Sequence, residues 1–110
     1  MAVNHWLVLA AAIALEVAGT TCMKLSEGFT KPVPSALIFV FYAASFTALT
    51  YALKKIDVSV AYAIWSGVGT VLIATIGILY FREAATTLKL ISILLIVAGV
   101  VGLNLGGVKN

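Results

Sequence analysis

Four apolar runs of bilayer length occupy nearly the whole of this 110-residue sequence, and they constrain its fold more than any other feature. They cover residues 4–23, 34–53, 58–80 and 88–106, and most of the charged residues cluster between them. An α-helix needs roughly 20 residues to cross a hydrocarbon core that is about 30 Å thick. The sequence therefore predicts an all-α integral membrane protein, a single domain over residues 1–110 with four transmembrane helices.

The composition leaves no room for a separate water-soluble domain. Hydrophobic residues make up 63% of the chain and charged residues 10%, against about 45–50% and about 25% in soluble domains. The sequence contains no cluster of metal ligands, no nucleophile–base pair and no phosphate-binding loop. We therefore expect no enzyme activity, no metal or other cofactor and no nucleic-acid partner. The net charge of +3 is interpreted as lysines and arginines that flank the membrane.

Glu16 is the one acidic residue well inside an apolar run. A charged side chain near the centre of a transmembrane helix costs about 2.5–3.5 kcal/mol on insertion scales, and such residues usually face a protein interior. The alternative is a structural glutamate, paired with a lysine or bonded to a hydroxyl group on another helix, but no lysine or arginine lies in the middle of a run. We therefore predict that Glu16 binds a proton and a cation in competition, as an antiporter site requires.

Small and aromatic residues at helical spacing suggest the walls of this site. Ala12, Gly19 and Thr20 share the helix face of Glu16. Polar and aromatic residues form one stripe on the second run (Phe39, Tyr42, Ser45, Phe46 and Leu49) and another on the third (Tyr62, Trp65, Ser66 and Gly69). Aromatic faces attract desolvated cations by about 2 kcal/mol or more. The pattern predicts a site for lipophilic organic cations; ordinary helix packing is the alternative for any single aromatic residue.

Glycines divide into two groups with different predicted roles. Gly67 and Gly69 lie near the middle of the third run, where they permit either a bend that alternates access to the site or simple close packing. In the fourth run, small residues recur on one side: Ser92, Gly99, Gly102 and Gly106. Such a stripe lets helix backbones approach closely in a membrane. Four short helices enclose little space, so we expect a dimer with this stripe as its seam.

The distribution of positive charge gives almost no preferred orientation. With both termini inside the cell, the inside set is Lys54, Lys55 and Lys109 and the outside set is Lys24, Lys31, Arg82 and Lys89, three against four. Membrane proteins place the excess of lysine and arginine on the cytoplasmic side. We therefore expect both orientations to be inserted, which permits a dimer of antiparallel subunits.

Over essentially its full length the chain resembles the small multidrug resistance family. The resemblance is carried by three stretches, Glu-Val-Ala-Gly-Thr-Thr at 16–21, Met-Lys-Leu-Ser-Glu-Gly-Phe-Thr at 23–30 with Pro-Ser at 34–35, and Ala-Tyr-Ala-Ile-Trp-Ser-Gly-Val-Gly at 61–69. Gly-Thr-Thr after the glutamate and Trp-Ser-Gly in the third run are similar to the quaternary-ammonium branch. The guanidinium-exporting branch typically has tryptophan soon after the glutamate and Trp-Thr-Gly later.

The resemblance implies a bacterial inner-membrane antiparallel homodimer that exchanges protons for polyaromatic or quaternary ammonium cations. By motif position, Glu16 would be the shared proton and substrate site, Tyr42, Tyr62 and Trp65 would contact substrate, and Gly67 and Gly69 would form the bend. The chain departs from the family pattern at Trp6, where tyrosine is frequent, and at Ser92, where glycine is common. The alternatives are a narrower exporter of guanidinium-like or small metabolic cations and a subunit of a heteromeric pair.

Overall fold

The computed structural model describes residues 4–107, and these residues form four long α-helices without a β-strand. The helices are α1 (His5–Leu25), α2 (Pro32–Ala52), α3 (Val58–Leu79) and α4 (Thr87–Gly107). All four are long and apolar enough to cross a membrane. The predicted all-α membrane architecture is confirmed, and the helix ends lie within two residues of the runs read from the sequence.

Local sequence signals account for the helix ends. The Asn4 side chain accepts hydrogen bonds from the first turn of α1, at 3.0 Å from the Trp6 amide nitrogen. Proline occupies the first turn of α2, where a missing N–H is not needed. Thr86 Oγ1 accepts a hydrogen bond of 3.1 Å from the Lys89 amide before α4. Asp57 precedes α3 without a capping bond from its side chain.

The turn between α1 and α2 runs through left-handed backbone. Glu27, Gly28 and Phe29 have φ values of 49°, 73° and 68°. Gly28 adopts this conformation without steric cost. The Ser26 hydroxyl accepts a hydrogen bond of 3.1 Å from the Phe29 amide. The turn is therefore held in a defined geometry that returns the chain into α2.

The chain divides after Ile56 into two compact units, α1 with α2 and α3 with α4. In the first unit, Gly19 contacts Tyr42 and Ala12 contacts Ser45, so α1 and α2 run antiparallel. In the second unit, Gly67 of α3 packs against Val100 of α4. The expectation that residues 1–110 form a single domain stays a prediction, and Lys109 lies outside the described residues.

Candidate functional site

Glu16 lies near the middle of α1, and two hydroxyl groups lie within hydrogen-bonding distance of its carboxyl group. Thr20 Oγ1 donates to Glu16 Oε2 over 2.7 Å, and the Tyr42 hydroxyl lies 3.4 Å from the same oxygen. The Tyr42 hydroxyl and Thr20 Oγ1 are also 2.6 Å apart. Because each hydroxyl carries one hydrogen and two lone pairs, it can donate to one neighbour and accept from another. The three side chains therefore form one hydrogen-bonded network around the carboxyl group.

Spacing and a missing side chain bring the network together. Thr20 follows Glu16 by four residues and so lies on the same face of α1. Tyr42 reaches this face from α2 because Gly19 has no Cβ; a Cβ there would overlap the Tyr42 ring. The Phe46 ring then packs edge-on against Tyr42, with ring centroids 5.7 Å apart and an interplanar angle of 73°. Of the stripe predicted on α2, Tyr42 therefore lies beside Glu16 and Phe46 packs against Tyr42; the role of the stripe as a wall of the substrate site stays a prediction.

Ala12 and Ser45 form a buried contact between α1 and α2. Both are fully buried in the described structure, and Ser45 Oγ donates a hydrogen bond of 2.7 Å to the Ala12 carbonyl oxygen. This bond satisfies a hydroxyl that would be costly to leave unpaired in an apolar environment. The pair joins the two helices one turn from Glu16. Its predicted role in substrate binding stays a prediction.

The ion pairs of the described residues lie away from Glu16. Within residues 4–107, the ion pairs are Lys31 with Glu27 and Lys89 with Glu83. Both pairs lie outside the apolar interiors of the helices. Glu16 is half-buried, and the hydroxyl groups of Thr20 and Tyr42 lie beside its carboxyl group. Such an arrangement can donate hydrogen bonds to a carboxylate without neutralising its charge.

The predicted site residues of α3 lie in the second unit. Tyr62 is 71% exposed and Trp65 is half-buried on the same helix. Gly67 and Gly69 are buried, and a Cβ on Gly67 would overlap the Val100 side chain. Close packing therefore accounts for the glycine at position 67. The bend at these two glycines stays a prediction.

The small residues predicted for a dimer seam lie on a helix with open surroundings. No residue of α4 between 87 and 105 is buried in the described structure. Ser92, Gly99 and Gly102 are exposed, and a Cβ on either glycine would meet no atom within 4 Å. Gly106 lies in α4, but its exposure is not among the features that the structure describes. The seam stays a prediction.

Met23 is a neighbour of the network that the sequence analysis did not identify. Its sulfur lies 3.8 Å from the Tyr42 hydroxyl. Met23 follows Glu16 by seven residues, which is two helical turns, so the spacing alone could have placed it on this face. Its polarizable thioether adapts to neighbours of different shape. Met23 therefore contacts the Tyr42 hydroxyl near the end of α1.

Comparison with known proteins identifies relatives over most of the chain. The family model described as Small Multidrug Resistance protein matches residues 4–96. The uncharacterized membrane protein YvaE of Bacillus subtilis is 58% identical over 101 residues, which cover 92% of this chain and 85% of the relative. The multidrug resistance protein EbrB of the same organism is 50% identical, covering 89% and 84%. The quaternary ammonium compound-resistance protein QacE of Escherichia coli is 46% identical, covering 91% of each.

Proposed function

Because this chain belongs to the small multidrug resistance family, we propose that it exports hydrophobic and quaternary ammonium cations in exchange for protons. The chain is a multi-pass protein of the bacterial inner membrane, of a family of transporters and not of enzymes. The names of EbrB and QacE support multidrug and quaternary ammonium substrates. The observation that carries the proposal is the Glu16 carboxyl group inside a membrane-length helix, hydrogen-bonded by Thr20 and Tyr42.

Exchange follows from the two charge states of this carboxyl group. A protonated carboxyl is neutral and has no electrostatic attraction for a cation, whereas a carboxylate within an apolar span is stabilised by one. Proton and cation therefore compete for Glu16. The Thr20 hydroxyl can donate to the carboxylate or accept from the protonated acid, so the same neighbours serve both states. Binding of either ligand then promotes release of the other.

The aromatic side chains suit cations with large apolar substituents. Tyr42 lies beside Glu16 in the first unit, and the Phe46 ring packs against the Tyr42 ring. We propose that Tyr62 and Trp65 of α3 supply further aromatic surface to the bound cation. Ring faces attract a desolvated cation without requiring a fixed set of hydrogen bonds. A site of this kind favours polyaromatic and quaternary ammonium cations over small, strongly hydrated ones.

We propose that the transporting unit is an antiparallel homodimer. The near balance of lysine and arginine supports insertion in both orientations, and the small residues of α4 are open to a second copy. A bend at Gly67 and Gly69 would expose the site alternately to either side. A heteromeric pair is the competing assembly, and it predicts that the chain alone is inactive until a homologous partner is added.

Transport by vesicles containing the purified chain tests the proposal. The vesicles are loaded with acidic buffer and placed in alkaline buffer with cations of graded size, from guanidinium to tetraphenylphosphonium. We expect uphill uptake of the bulky cations that stops when the pH gradient is removed. Uptake of guanidinium alone would support the narrower exporter instead. Uptake that is indifferent to the pH gradient would contradict proton exchange.

A further inference from the structure

The first unit carries an apolar groove that is separate from the Glu16 network. It has a volume of about 900 Å³ and is lined by residues of α1, α2 and the start of the following loop, namely His5, Val8, Ala11, Ala43, Ala44, Thr47, Ala48, Tyr51 and Lys54. On α2, Ala44, Thr47 and Tyr51 lie roughly opposite Tyr42 at the helical repeat of about 100° per residue. The groove therefore opens on the side of α2 that faces away from Tyr42.

The groove is apolar along its length and basic at one end. Its body is formed by Val8 and by alanines of both helices. His5 begins α1 and Lys54 follows the end of α2, so the two basic side chains meet at the same end of the antiparallel pair. Ala11 lies six residues beyond His5, which corresponds to about 9 Å along the helix. The groove thus descends from the membrane surface into the hydrocarbon region.

Lys54 is available to a ligand at the mouth of the groove. Its ammonium group lies 5.8 Å from the centroid of the Tyr51 ring, and both residues line the groove. The ion pairs among residues 4–107 do not include Lys54. A lysine at the membrane surface attracts anionic headgroups, while its stem and the Tyr51 ring remain in apolar surroundings. Charge and shape therefore match a molecule with an anionic head and an apolar tail.

We propose that this groove binds an anionic phospholipid, with one acyl chain between α1 and α2 and the phosphate beside Lys54. Three properties support a lipid over a second protein copy. The groove begins at the membrane surface, most of its lining residues are apolar, and its basic lining residues, His5 and Lys54, both lie at the mouth. A volume of about 900 Å³ also falls within the range of about 300–1,000 Å³ for small-molecule sites. The proposal is independent of what the chain transports.

Lipid retention tests whether the phosphate of the bound lipid lies beside Lys54. The full chain is extracted with mild detergent from vesicles of phosphatidylglycerol and phosphatidylcholine in equal amounts, and the bound lipids are counted by native mass spectrometry. We expect preferential retention of phosphatidylglycerol. Lys54→Gln should reduce this preference by about fivefold, as expected for one basic residue at the membrane surface. Lys55→Gln removes the same charge from the neighbouring residue, which does not line the groove, and should have little effect.

A second pair of variants tests whether an acyl chain lies in the groove between α1 and α2. Ala44→Leu fills the groove and should reduce retention of both lipids, whereas Ala36→Leu, at an exposed position of α2 outside the groove, should not. Equal effects of Lys54→Gln and Lys55→Gln, or full retention in Ala44→Leu, would overturn the proposal.

The competing occupant of the groove is a second copy of the chain. It is tested with Ala44→Cys in a chain that also carries Cys22→Ala. A disulfide between two copies through position 44 would place a second chain in the groove and would also overturn it.

Discussion

The ring of Tyr42 occupies the space that a Cβ on Gly19 would fill. The absence of a side chain at Gly19 therefore allows the Tyr42 hydroxyl to come within 2.6 Å of Thr20 Oγ1 and 3.4 Å of Glu16 Oε2. One hydrogen atom in place of a methyl group on α1 thus determines where an aromatic side chain of α2 stands. The network around Glu16 depends on this contact as much as on the carboxyl group.

Gly19→Ala should displace the Tyr42 ring and weaken cation binding by about tenfold. Overpacking typically costs about 1–3 kcal/mol, and a tenfold change in affinity corresponds to about 1.4 kcal/mol. Equilibrium binding of tetraphenylphosphonium measures the change. The control is Gly19→Ala combined with Tyr42→Ala, because removal of the ring should abolish the additional effect of the alanine. An equal loss with and without the Tyr42 ring would contradict this explanation.

Glu16→Gln should abolish proton-coupled export. The amide retains the shape of the carboxyl group but can neither gain a proton near neutral pH nor carry a negative charge. Glu16→Asp should retain exchange with an altered pH dependence, because the carboxyl group is kept and moved by one methylene. Vesicle transport and cation-induced proton release provide the two measurements. Uphill cation transport by the Gln variant would refute the proposed mechanism.

The helices could be predicted from the sequence more completely than the contacts between them. Apolar runs of bilayer length determine the four helices, and the interval of four residues places Thr20 beside Glu16. The approach of Tyr42 depends on how α1 and α2 rotate against each other, which no spacing within one helix specifies. The groove that ends at Lys54 gave no sequence signal, because its alanines are unremarkable in a membrane helix.

Trp65→Ala should impair export of aromatic cations more than export of small aliphatic ones. The substitution removes a ring face but no charge, and a cation–π contact is worth about 2 kcal/mol or more when desolvated. Initial transport rates for tetraphenylphosphonium and tetramethylammonium should therefore diverge. Trp65→Phe serves as the matched control because it retains an aromatic face. A uniform loss for both cations would indicate altered packing of α3.

Gly99→Ala should weaken dimerisation while the helices of each chain stay intact. A Cβ at position 99 meets no atom of the described chain within 4 Å, and alanine favours the helix by about 0.5–1 kcal/mol over glycine. Any loss must therefore come from a second copy. Energy transfer between labelled chains in vesicles measures the dimer. Gly67→Ala provides the contrast, because its Cβ would overlap Val100 within the same chain, and Val100→Ala should relieve that overlap.

Two lysines added beside Lys109 should fix the orientation of most chains. The inside count with both termini in the cytoplasm would rise from three to five, against four outside. An antiparallel dimer should then lose activity. Co-expression of a copy with Lys54 and Lys55 replaced by glutamine, which lowers the same count from three to one, should restore it. Labelling of loop cysteines from each side measures orientation. Transport by a chain labelled from one side only would require a parallel assembly.

The open surface of α4 has a consequence for gene dosage. Lipid tails solvate an apolar helix as well as another helix does, so the exposed side of α4 in a lone chain suffers no penalty comparable to that of an apolar patch in water. A lone chain can therefore persist in the bilayer, and its association follows mass action within the membrane plane. If two copies form the transporter, export at low expression rises with the square of the number of chains per membrane area. Modest changes in synthesis would then produce disproportionate changes in resistance.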